Sequence, residues 1–268
     1  MEIKRILTIA GSDSGGGAGI QADLKTITVL GGFGMSVITA LTAQNTLGVH
    51  AVQEVPPEFI AAQFDAVAAD IGVDAAKTGM LPSAAVVEVV AEKIGHYGIK
   101  KLVVDPVMTA KGGAMLMDPA ARAVLVKKLL PLALVVTPNI PEAEILTGVI
   151  ITSVSDMKAA ARIIFELGVP NVIVKGGHLP GDAVDVLYDG REFYEFPFVR
   201  IATKDTHGTG CTFSAALATG LARGKEIREA VTAAEAYMAA VIGAALRLGA
   251  GHGPVHHGFR PPPGSGIG

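Results

Sequence analysis

The feature that most constrains the fold is a regular alternation of short apolar runs with longer runs that have helical spacing. Apolar runs at 6–10, 36–42, 75–78, 102–105, 134–137 and 172–175 predict strands. Helices are predicted at 18–30, 56–71, 83–95, 119–130, 155–168, 210–222 and 226–248. Apolar strands that are each followed by a helix indicate a mainly parallel sheet covered on both faces. We therefore predict an α/β fold.

One segment departs from this pattern and predicts a hairpin. Val184, Val186 and Tyr188 alternate with other residues, and the Asp189-Gly190 pair that follows them is typical of a tight hairpin turn. Such a pair of strands would lie at an edge of the sheet. No linker or repeat interrupts the chain, so we expect one domain over 1–259 and a flexible tail over 260–268.

Composition excludes several classes of protein. Half of the 268 residues are hydrophobic and 18% are charged, which excludes a disordered chain. A formal net charge of −3 leaves no broad basic field, so no nucleic-acid partner is expected. The longest stretch without Asp, Glu, Lys or Arg, 26–53, is interrupted by glycines and predicts no membrane span. A single cysteine and no signal-peptide pattern favour a reducing, cytoplasmic location.

Polar residues and glycines follow six of the predicted strands. In open parallel sheets, ligands bind beyond the carboxyl ends of the strands, where these residues would collect. They are the glycine-rich 11–19 segment, Gln44-Asn45, Gly79-Met80, Asp105-Pro106-Val107, Thr137-Pro138-Asn139 and Lys175-Gly176-Gly177-His178. Each alone is explained equally well as a cap or a turn, but the set as a whole predicts a ligand site.

The glycine-rich segment 11–19 resembles a nucleotide loop only superficially. It has no G-x-x-x-x-G-K-[ST] pattern and no clean G-x-G-x-x-G followed by an acidic residue about 20 positions later. It is either a tight strand-to-helix turn or a place where the backbone approaches a small ligand. Asp23, on the following helix, is either a solvated charge or a carboxylate that binds a ligand amine.

A sharper signal opens the helix at 210–222. Gly208 and Gly210 allow backbone amides to converge at a helix N-terminus, which carries unpaired N–H groups and a positive dipole end. This arrangement predicts an anion hole for a phosphate. Cys211 falls in the first turn, where a thiol pKa is expected to be lowered. We interpret Cys211 as a functional thiol rather than as a small core residue.

Other groups point to a phosphate and a metal ion. Asn139 and Glu142 carry the oxygen ligands that suit hydrated Mg²⁺, although an N-cap with an acidic first turn has the same pattern. Lys175 ends a buried strand, where its charge needs water or an anion such as a triphosphate. The loop 109–113 contains one lysine and is a candidate lid. His207 and His178 lack metal-ligand spacing and are interpreted as polar loop residues.

Taken together, the motifs resemble those of the hydroxymethylpyrimidine/phosphomethylpyrimidine kinases of thiamine biosynthesis, a family of the ribokinase-like superfamily. The resemblance runs from about residue 4 to 259. Its segments are 10–23, Thr42-Ala43-Gln44-Asn45, Lys77-Thr78-Gly79-Met80-Leu81, Asp105-Pro106-Val107, Thr137-Pro138-Asn139, Val174-Lys175-Gly176-Gly177-His178, Thr206-His207-Gly208-Thr209-Gly210-Cys211 and Gly251-His252-Gly253-Pro254-Val255. The resemblance implies a three-layer αβα sandwich. It also implies ATP- and Mg²⁺-dependent phosphorylation of 4-amino-5-hydroxymethyl-2-methylpyrimidine and then of its monophosphate.

The resemblance also assigns residues to the acceptor side of the site. It implies that Gln44 and Asp23 hydrogen-bond the aminopyrimidine and that Gly11, Met80 and Val107 line its pocket.

On the phosphate side, the residues from Gly208 to Cys211, including Gly210, would form the anion hole. Cys211 would stand where most of the superfamily has an aspartate base. The resemblance implies that the nucleotide and Mg²⁺ are bound by a group of polar residues, namely Asp105, Asn139, Glu142, Lys175, Thr206 and Gly208, with Glu142 and Asp105 at the metal.

Two positions depart from the family pattern. Thr78 stands at a usually aliphatic site, and this change is expected to be tolerated. Glu235 stands where a lysine is expected, which puts a nucleotide contact from that helix in doubt.

Three other functions remain open at this point. A pyridoxal kinase, or an enzyme with both activities, would also phosphorylate a hydroxymethyl group on a flat heteroaromatic ring. A non-catalytic binding protein on a kinase fold is the second alternative, and an NAD-dependent enzyme is a weaker third. The predicted edge hairpin and apolar helices also allow a homodimer.

Overall fold

The computed structural model describes residues 2–109, 115–177, 179 and 183–259. Its strands are β1 (Arg5–Asp13), β2 (Phe33–Asn45), β3 (Gly48–Glu54), β4 (Ala75–Thr78), β5 (Leu102–Val104), β6 (Val135–Val136), β7 (Val172–Val174), β8 (Ala183–Tyr188) and β9 (Phe193–Phe198). Its helices are α1 (Gly19–Val29), α2 (Pro57–Ala68), α3 (Ala84–His96), α4 (Pro119–Val124), α5 (Ile140–Thr147), α6 (Val154–Glu166), α7 (Thr209–Ala222) and α8 (Ile227–Gly243). A π-helical turn, Leu125–Leu129, and a 3₁₀ turn, Leu130–Leu132, continue α4.

All nine of these strands lie in one sheet, in the order β3-β2-β1-β4-β5-β6-β7-β8-β9. The six strands from β2 to β7 in this order pair in parallel. Strand β3 pairs antiparallel with β2 at one edge, and β8 and β9 extend the other edge antiparallel. The predicted α/β fold with a mainly parallel sheet and an edge hairpin is therefore confirmed.

The core lies on both faces of the sheet, because successive strand residues point to opposite sides. In β1, Leu7 and Ile9 join the core cluster that contains Phe64 of α2, whereas Ile6 joins the cluster that contains Phe213 of α7. Each of these side chains is 3% exposed or less, and burying one stabilises the fold by roughly 1.5–3 kcal/mol. The chain therefore forms three layers, with helices α2 to α6 on one face and α1, α7 and α8 on the other.

The described elements differ from the sequence prediction at two places near the site. Strand β1 continues past the predicted end into the glycine-rich segment and ends at Asp13. Strand β3 has no counterpart in the prediction, because it is an exposed edge strand and lacks a continuous apolar run. One domain over 1–259 stays a prediction, and the tail 260–268 lies outside the described residues. In the part of the chain that the structure describes, no helix is both long and apolar enough to span a bilayer.

Candidate active site

The parallel strands end at the same edge of the sheet, and three predicted site residues meet there. Lys175 follows β7 and Asp105 follows β5, and the Lys175 Nζ lies 3.2 Å from the Asp105 Oδ1. The two residues lie next to Gly210 in the first turn of α7. A Cβ at position 210 would lie 3.4 Å from the Lys175 Nζ and 3.5 Å from the Asp105 Oδ2. The structure therefore brings a cation and a carboxylate to the N-terminus of α7.

The backbone ahead of α7 requires glycine at position 208. Gly208 is the N-cap residue and has φ 83°, a left-handed conformation that favours glycine, and a Cβ there would overlap the carbonyl oxygen of Gly17. The first intrahelical bond runs from the Thr212 N–H to the Gly208 carbonyl at 2.9 Å. The N–H groups of Gly210 and Cys211 precede that bond, so an anion can accept from them.

Cys211 lies at the first turn of α7, and its thiol is harder to ionise than the sequence suggested. Burial raises the pKa of Cys211 to about 12, although the charge of Lys77 acts in the opposite direction. The Gly19 N–H also acts to lower the pKa. The expectation of a lowered pKa is corrected here, because the loss of water around the thiol outweighs the favourable charges. The thiol is neutral at pH 7 in the free protein.

A buried ion pair lies on the same side of the site as Cys211. The Lys77 Nζ lies 3.1 Å from both carboxylate oxygens of Asp23, and the Thr8 hydroxyl donates to the Asp23 Oδ2 at 2.5 Å. The side chains of Lys77 and Asp23 have no exposed surface. Burial alone would lower the pKa of Lys77, but the charge and hydrogen bond of Asp23, together with the charges of Cys211 and Asp105, outweigh burial and hold that pKa above its usual value.

This pair changes the interpretation of Asp23. The carboxylate that was expected to meet a ligand amine is already used by Lys77 and Thr8, so direct contact with a ligand would require the ion pair to open. Sequence reasoning missed Lys77. The available signal was a lysine inside the apolar strand β4, which is the same argument that singled out Lys175 after β7.

The expected pocket residues lie at neighbouring strand ends. A Cβ at Gly11 would lie 3.1 Å from the Met80 sulfur, so the backbone of β1 and the turn after β4 are in close contact. Val107 is half-buried, two residues after Asp105. Gln44 is half-buried near the end of β2, where its amide contacts Thr42.

Asn139 and Glu142 form a capping box at the start of α5. The Glu142 N–H donates to the Asn139 Oδ1, and the Asn139 N–H donates to the Glu142 Oε2, both at 2.9 Å. The N-cap interpretation is therefore what the structure shows for Asn139. Glu142 has a second feature: burial raises its pKa to about 7, with Lys175 lowering and Asp105 raising it. Glu142 thus lies within the electrostatic reach of the Lys175–Asp105 pair.

Glu235 of α8 faces a second acid. Burial, and then the neighbouring Asp185 of β8, raise the pKa of Glu235 to about 10. Burial also raises the pKa of Asp185, whose Oδ1 accepts the Gly176 N–H at 2.8 Å. At neutral pH these shifts favour a proton on Glu235, and a protonated Glu235 can donate to the Asp185 carboxylate. The expected lysine contact is therefore replaced by a carboxyl pair beside the residue that follows Lys175.

Three further expectations concern loops. Thr206 lies two residues before the N-cap of α7, and its carbonyl accepts the Thr209 hydroxyl at 3.2 Å. The lysine and glycines of the candidate lid, 111–113, lie outside the described residues, as does His178. His207, interpreted as a polar loop residue, places its Nε2 2.8 Å from the Asp13 Oδ2.

Comparison with solved structures assigns the class of protein. The chain superimposes on an ADP complex of Bacillus subtilis pyridoxal kinase with a TM-score of 0.89, at 42% identity, covering 96% of this chain and 98% of that one. The fold is that of the ribokinase-like kinases.

Comparison with sequences assigns the family. The model of the family described as phosphomethylpyrimidine kinase matches residues 13–256. The hydroxymethylpyrimidine/phosphomethylpyrimidine kinase of Bacillus subtilis is 51% identical over 259 residues, which is 96% of each chain. The thiamine biosynthesis bifunctional protein ThiED of Geobacter sulfurreducens is 58% identical over 253 residues, and this chain spans 52% of its length. The chain belongs to the phosphomethylpyrimidine kinase family.

Proposed function

We propose that this chain transfers the γ-phosphoryl group of ATP to the hydroxyl of 4-amino-5-hydroxymethyl-2-methylpyrimidine, and then phosphorylates the monophosphate for thiamine biosynthesis. The observation that carries the proposal is the convergence of Lys175, Asp105 and the first turn of α7 at the edge of the sheet. Family membership supports the choice of acceptor, because relatives that share about half of this sequence carry that activity in their names.

The phosphate side of the site would act mainly through charge. Phosphoryl transfer passes through a loose transition state, so positioning and neutralisation of the phosphate oxygens matter more than covalent chemistry. We assign the neutralisation to Lys175 and to the N–H groups of Gly210 and Cys211, which are fixed before the substrates bind. Thr206 is assigned to the nucleotide side, because it lies two residues ahead of the Gly208 N-cap.

The donors near Lys175 fit a hydrated Mg²⁺ ion. Among the described residues, no group of three or more His, Cys, Asp or Glu side chains is arranged to hold a metal. Two carboxylates, Asp105 and Glu142, are the set that Mg²⁺ takes when it keeps most of its water and binds substrate phosphates. The Asn139 amide oxygen is used by its capping box, so Asn139 would act by holding Glu142. When bound, the ion supplies positive charge to the phosphates.

The acceptor side would present the hydroxymethyl group to the γ-phosphoryl. Gly11, Met80 and Val107 are assigned to the walls of this pocket and Gln44 to the ring edge. Cys211 is the group proposed to accept the hydroxyl proton late in the reaction. Since the free thiol is neutral, Cys211 must first release its own proton to solvent, which reaches the partly exposed residue, and the nearby charge of Lys77 favours that loss.

An assay of ADP release with three acceptors side by side tests the proposal. We expect turnover with hydroxymethylpyrimidine and with its monophosphate, and weaker turnover with pyridoxal. Absence of ADP release with all three would instead favour a non-catalytic binding protein.

Pyridoxal kinase activity is the second candidate, on its own or as a second activity. It is favoured by the near-complete structural match to a pyridoxal kinase at 42% identity. A higher kcat/KM for pyridoxal than for hydroxymethylpyrimidine would make it the main function.

We also propose that the chain works as a cytoplasmic homodimer. Leu41 of β2 and Val52 of β3 are 49% and 45% exposed, and burial of such side chains between two copies would be favourable. Light scattering on the purified protein checks this, and a monomer mass at micromolar concentration would contradict it.

A further inference from the structure

The imidazole of His207 lies between the acceptor loop and the phosphate site. Its Nε2 lies 2.8 Å from the Asp13 Oδ2 and 3.2 Å from the side-chain amide of Gln44. Asp13 ends β1 and Gln44 lies near the end of β2, whereas His207 directly precedes the Gly208 N-cap. His207 therefore connects the strands of the acceptor side to the segment that leads into α7.

The imidazole is held in one orientation. The backbone N–H of His207 donates to the Gly253 carbonyl at 3.0 Å, and His207 forms an isolated parallel β-bridge with Pro254. The backbone of Gly17 packs against the ring, since a Cβ at position 17 would lie 2.5 Å from the His207 Cδ2. Only 14% of the His207 side chain is exposed.

The partners of Asp13 determine which atom of His207 carries a proton. The Asp13 carboxylate accepts the N–H groups of Gly15, Gly17 and Ala18 at 2.8 to 3.0 Å. Burial alone would raise the pKa of Asp13, but the bond from His207 and these N–H groups outweigh it and lower that pKa. An ionised carboxylate only accepts hydrogen bonds, so the His207 Nε2 must donate to it.

The donors and acceptors around Gln44 likewise determine the orientation of its side-chain amide. The Thr42 hydroxyl donates its proton to the Ser12 carbonyl at 2.8 Å, so at 3.2 Å it can only accept from Gln44. The single N–H of the His207 Nε2 is directed mainly at Asp13, so this nitrogen has no lone pair and cannot accept a hydrogen bond from Gln44. Only the oxygen of the Gln44 amide can face it without a donor–donor contact. The structure has the Gln44 Oε1 towards Thr42 and its Nε2 towards His207. Both partners require the opposite assignment, with the NH₂ facing Thr42 and the oxygen facing His207, and the two amide atoms are therefore exchanged.

In this orientation Gln44 keeps one N–H and one lone pair of its oxygen for a ligand. A donor beside an acceptor matches the edge of an aminopyrimidine, in which an exocyclic amino group lies next to a ring nitrogen. We propose that His207 is a positioning residue that fixes the amide of Gln44 and thereby favours acceptors with a ring nitrogen beside an amino group. This proposal deepens the proposed function and rests on it.

A double-mutant cycle on the full chain tests this role. His207→Leu removes the donor, and we expect the KM for hydroxymethylpyrimidine to rise about tenfold while the KM for ATP changes by less than about twofold. His207→Gln places an N–H near the position of Nε2 and should restore most of the loss. In a Gln44→Leu background, His207→Leu should add almost nothing to the pyrimidine KM, because the group that His207 orients is gone.

Two outcomes would overturn the proposal. A His207→Leu effect that multiplies with the Gln44→Leu effect would show that His207 acts on the site without Gln44. An equal rise of both KM values would indicate that His207 only holds the fold together. Thermal unfolding of every variant accompanies the kinetics, and His207→Gln keeps the test decisive if His207→Leu does not fold.

A second measurement is independent of which acceptor the enzyme uses. Nitrogen NMR of the free wild-type protein should show a proton on the His207 Nε2, and its absence would remove the argument even if the kinase activity is as proposed. Conversely, a wild type that phosphorylates pyridoxal and not hydroxymethylpyrimidine would refute the proposed function and, with it, the selectivity assigned to His207. In that case, the NMR result would still show whether His207 orients Gln44, so failure of the proposed function can be distinguished from failure of the role of His207.

Discussion

Two lysine–aspartate pairs lie at the carboxyl ends of the parallel strands, and they differ in what they leave open. In the Lys77–Asp23 pair, both side chains are fully buried and both carboxylate oxygens are used. In the Lys175–Asp105 pair, the lysine is 15% exposed and contacts one carboxylate oxygen at 3.2 Å. The other oxygen of Asp105 accepts the Ser214 hydroxyl at 3.4 Å. The closed pair is therefore complete without a ligand, whereas in the open pair the partly exposed Lys175 ammonium retains hydrogen-bonding capacity for one.

The difference shows that a buried charge at a strand end can belong either to a structural ion pair or to a ligand site. Burying two ions costs several kcal/mol of solvation, which only close pairing offsets. Lys77 meets that requirement within the protein and acts on the site through its charge near Cys211. Lys175 meets it only in part, and we propose that nucleotide phosphates supply the rest.

The largest effect is expected from breaking the closed pair. Lys77→Met leaves the Asp23 carboxylate buried without its cation, which should lower the free energy of unfolding by about 3–5 kcal/mol. Chemical denaturation measures this loss. Lys77→Met combined with Asp23→Asn removes both charges and should regain more than half of the stability. A single variant as stable as the wild type would show that the pair is not closed in solution.

Breaking the open pair should affect catalysis more than stability. Lys175→Met removes the charge that we assign to the nucleotide phosphates and should lower kcat by about 100- to 1,000-fold. We expect a smaller change in unfolding free energy than for Lys77→Met, because Lys175 is partly solvated. The matched control is Lys128→Met, which removes an exposed ion pair with Glu88 and should leave kcat unchanged. The comparison fails if Lys175→Met unfolds as readily as Lys77→Met.

Cys211, which lies within the electrostatic reach of Lys77 in the closed pair, provides the next prediction. Cys211→Ala should lower kcat by about 100-fold, the low end for loss of a general base. Because burial raises the pKa of the thiol to about 12, the thiolate fraction grows about tenfold per pH unit below that value. Wild-type kcat should therefore rise from pH 7 to pH 9, and the Ala variant should lose this rise. Near-normal turnover of Cys211→Ala would reject the base role and leave the fold untouched.

The smallest effect concerns the carboxyl pair behind Lys175. Burial and Asp185 raise the pKa of Glu235 from 4.5 to about 10, so the folded state holds a proton that the unfolded state loses. Wild-type stability must fall as the pH rises between these two values, because the unfolded state then binds fewer protons. Glu235→Gln removes that dependence, and its gain in Tm over the wild type should be larger at pH 8 than at pH 5.

The control for this prediction is Glu92→Gln, at an exposed position of α3. It should give no pH-dependent gain. A Glu235→Gln variant whose Tm difference from the wild type is the same at both pH values would contradict the proton on Glu235.

Much of the architecture was predictable because it depends on local pattern. The continuous apolar strands and the helical runs between them required a parallel sheet with two covered faces, and the Asp189-Gly190 turn required the hairpin. The capping box of Asn139 and Glu142 was legible for the same reason, since its partners are three residues apart. Strand β3 was missed because its residues are mostly exposed and carry no apolar run.

The sequence by itself determined which chemical groups lie at the carboxyl edge of the sheet, since each follows its strand directly along the chain. Only the tertiary structure decided how these groups pair. Asp23 and Lys77 are 54 residues apart, Asp13 and His207 are 194 apart, and no local pattern connects them. The burial of Cys211 could not be predicted from the local sequence either, and it makes the thiol a weaker acid than its helix position alone suggested. Pairing and desolvation depend on distances through space, and those distances are set only when the strands and helices pack together in the folded protein.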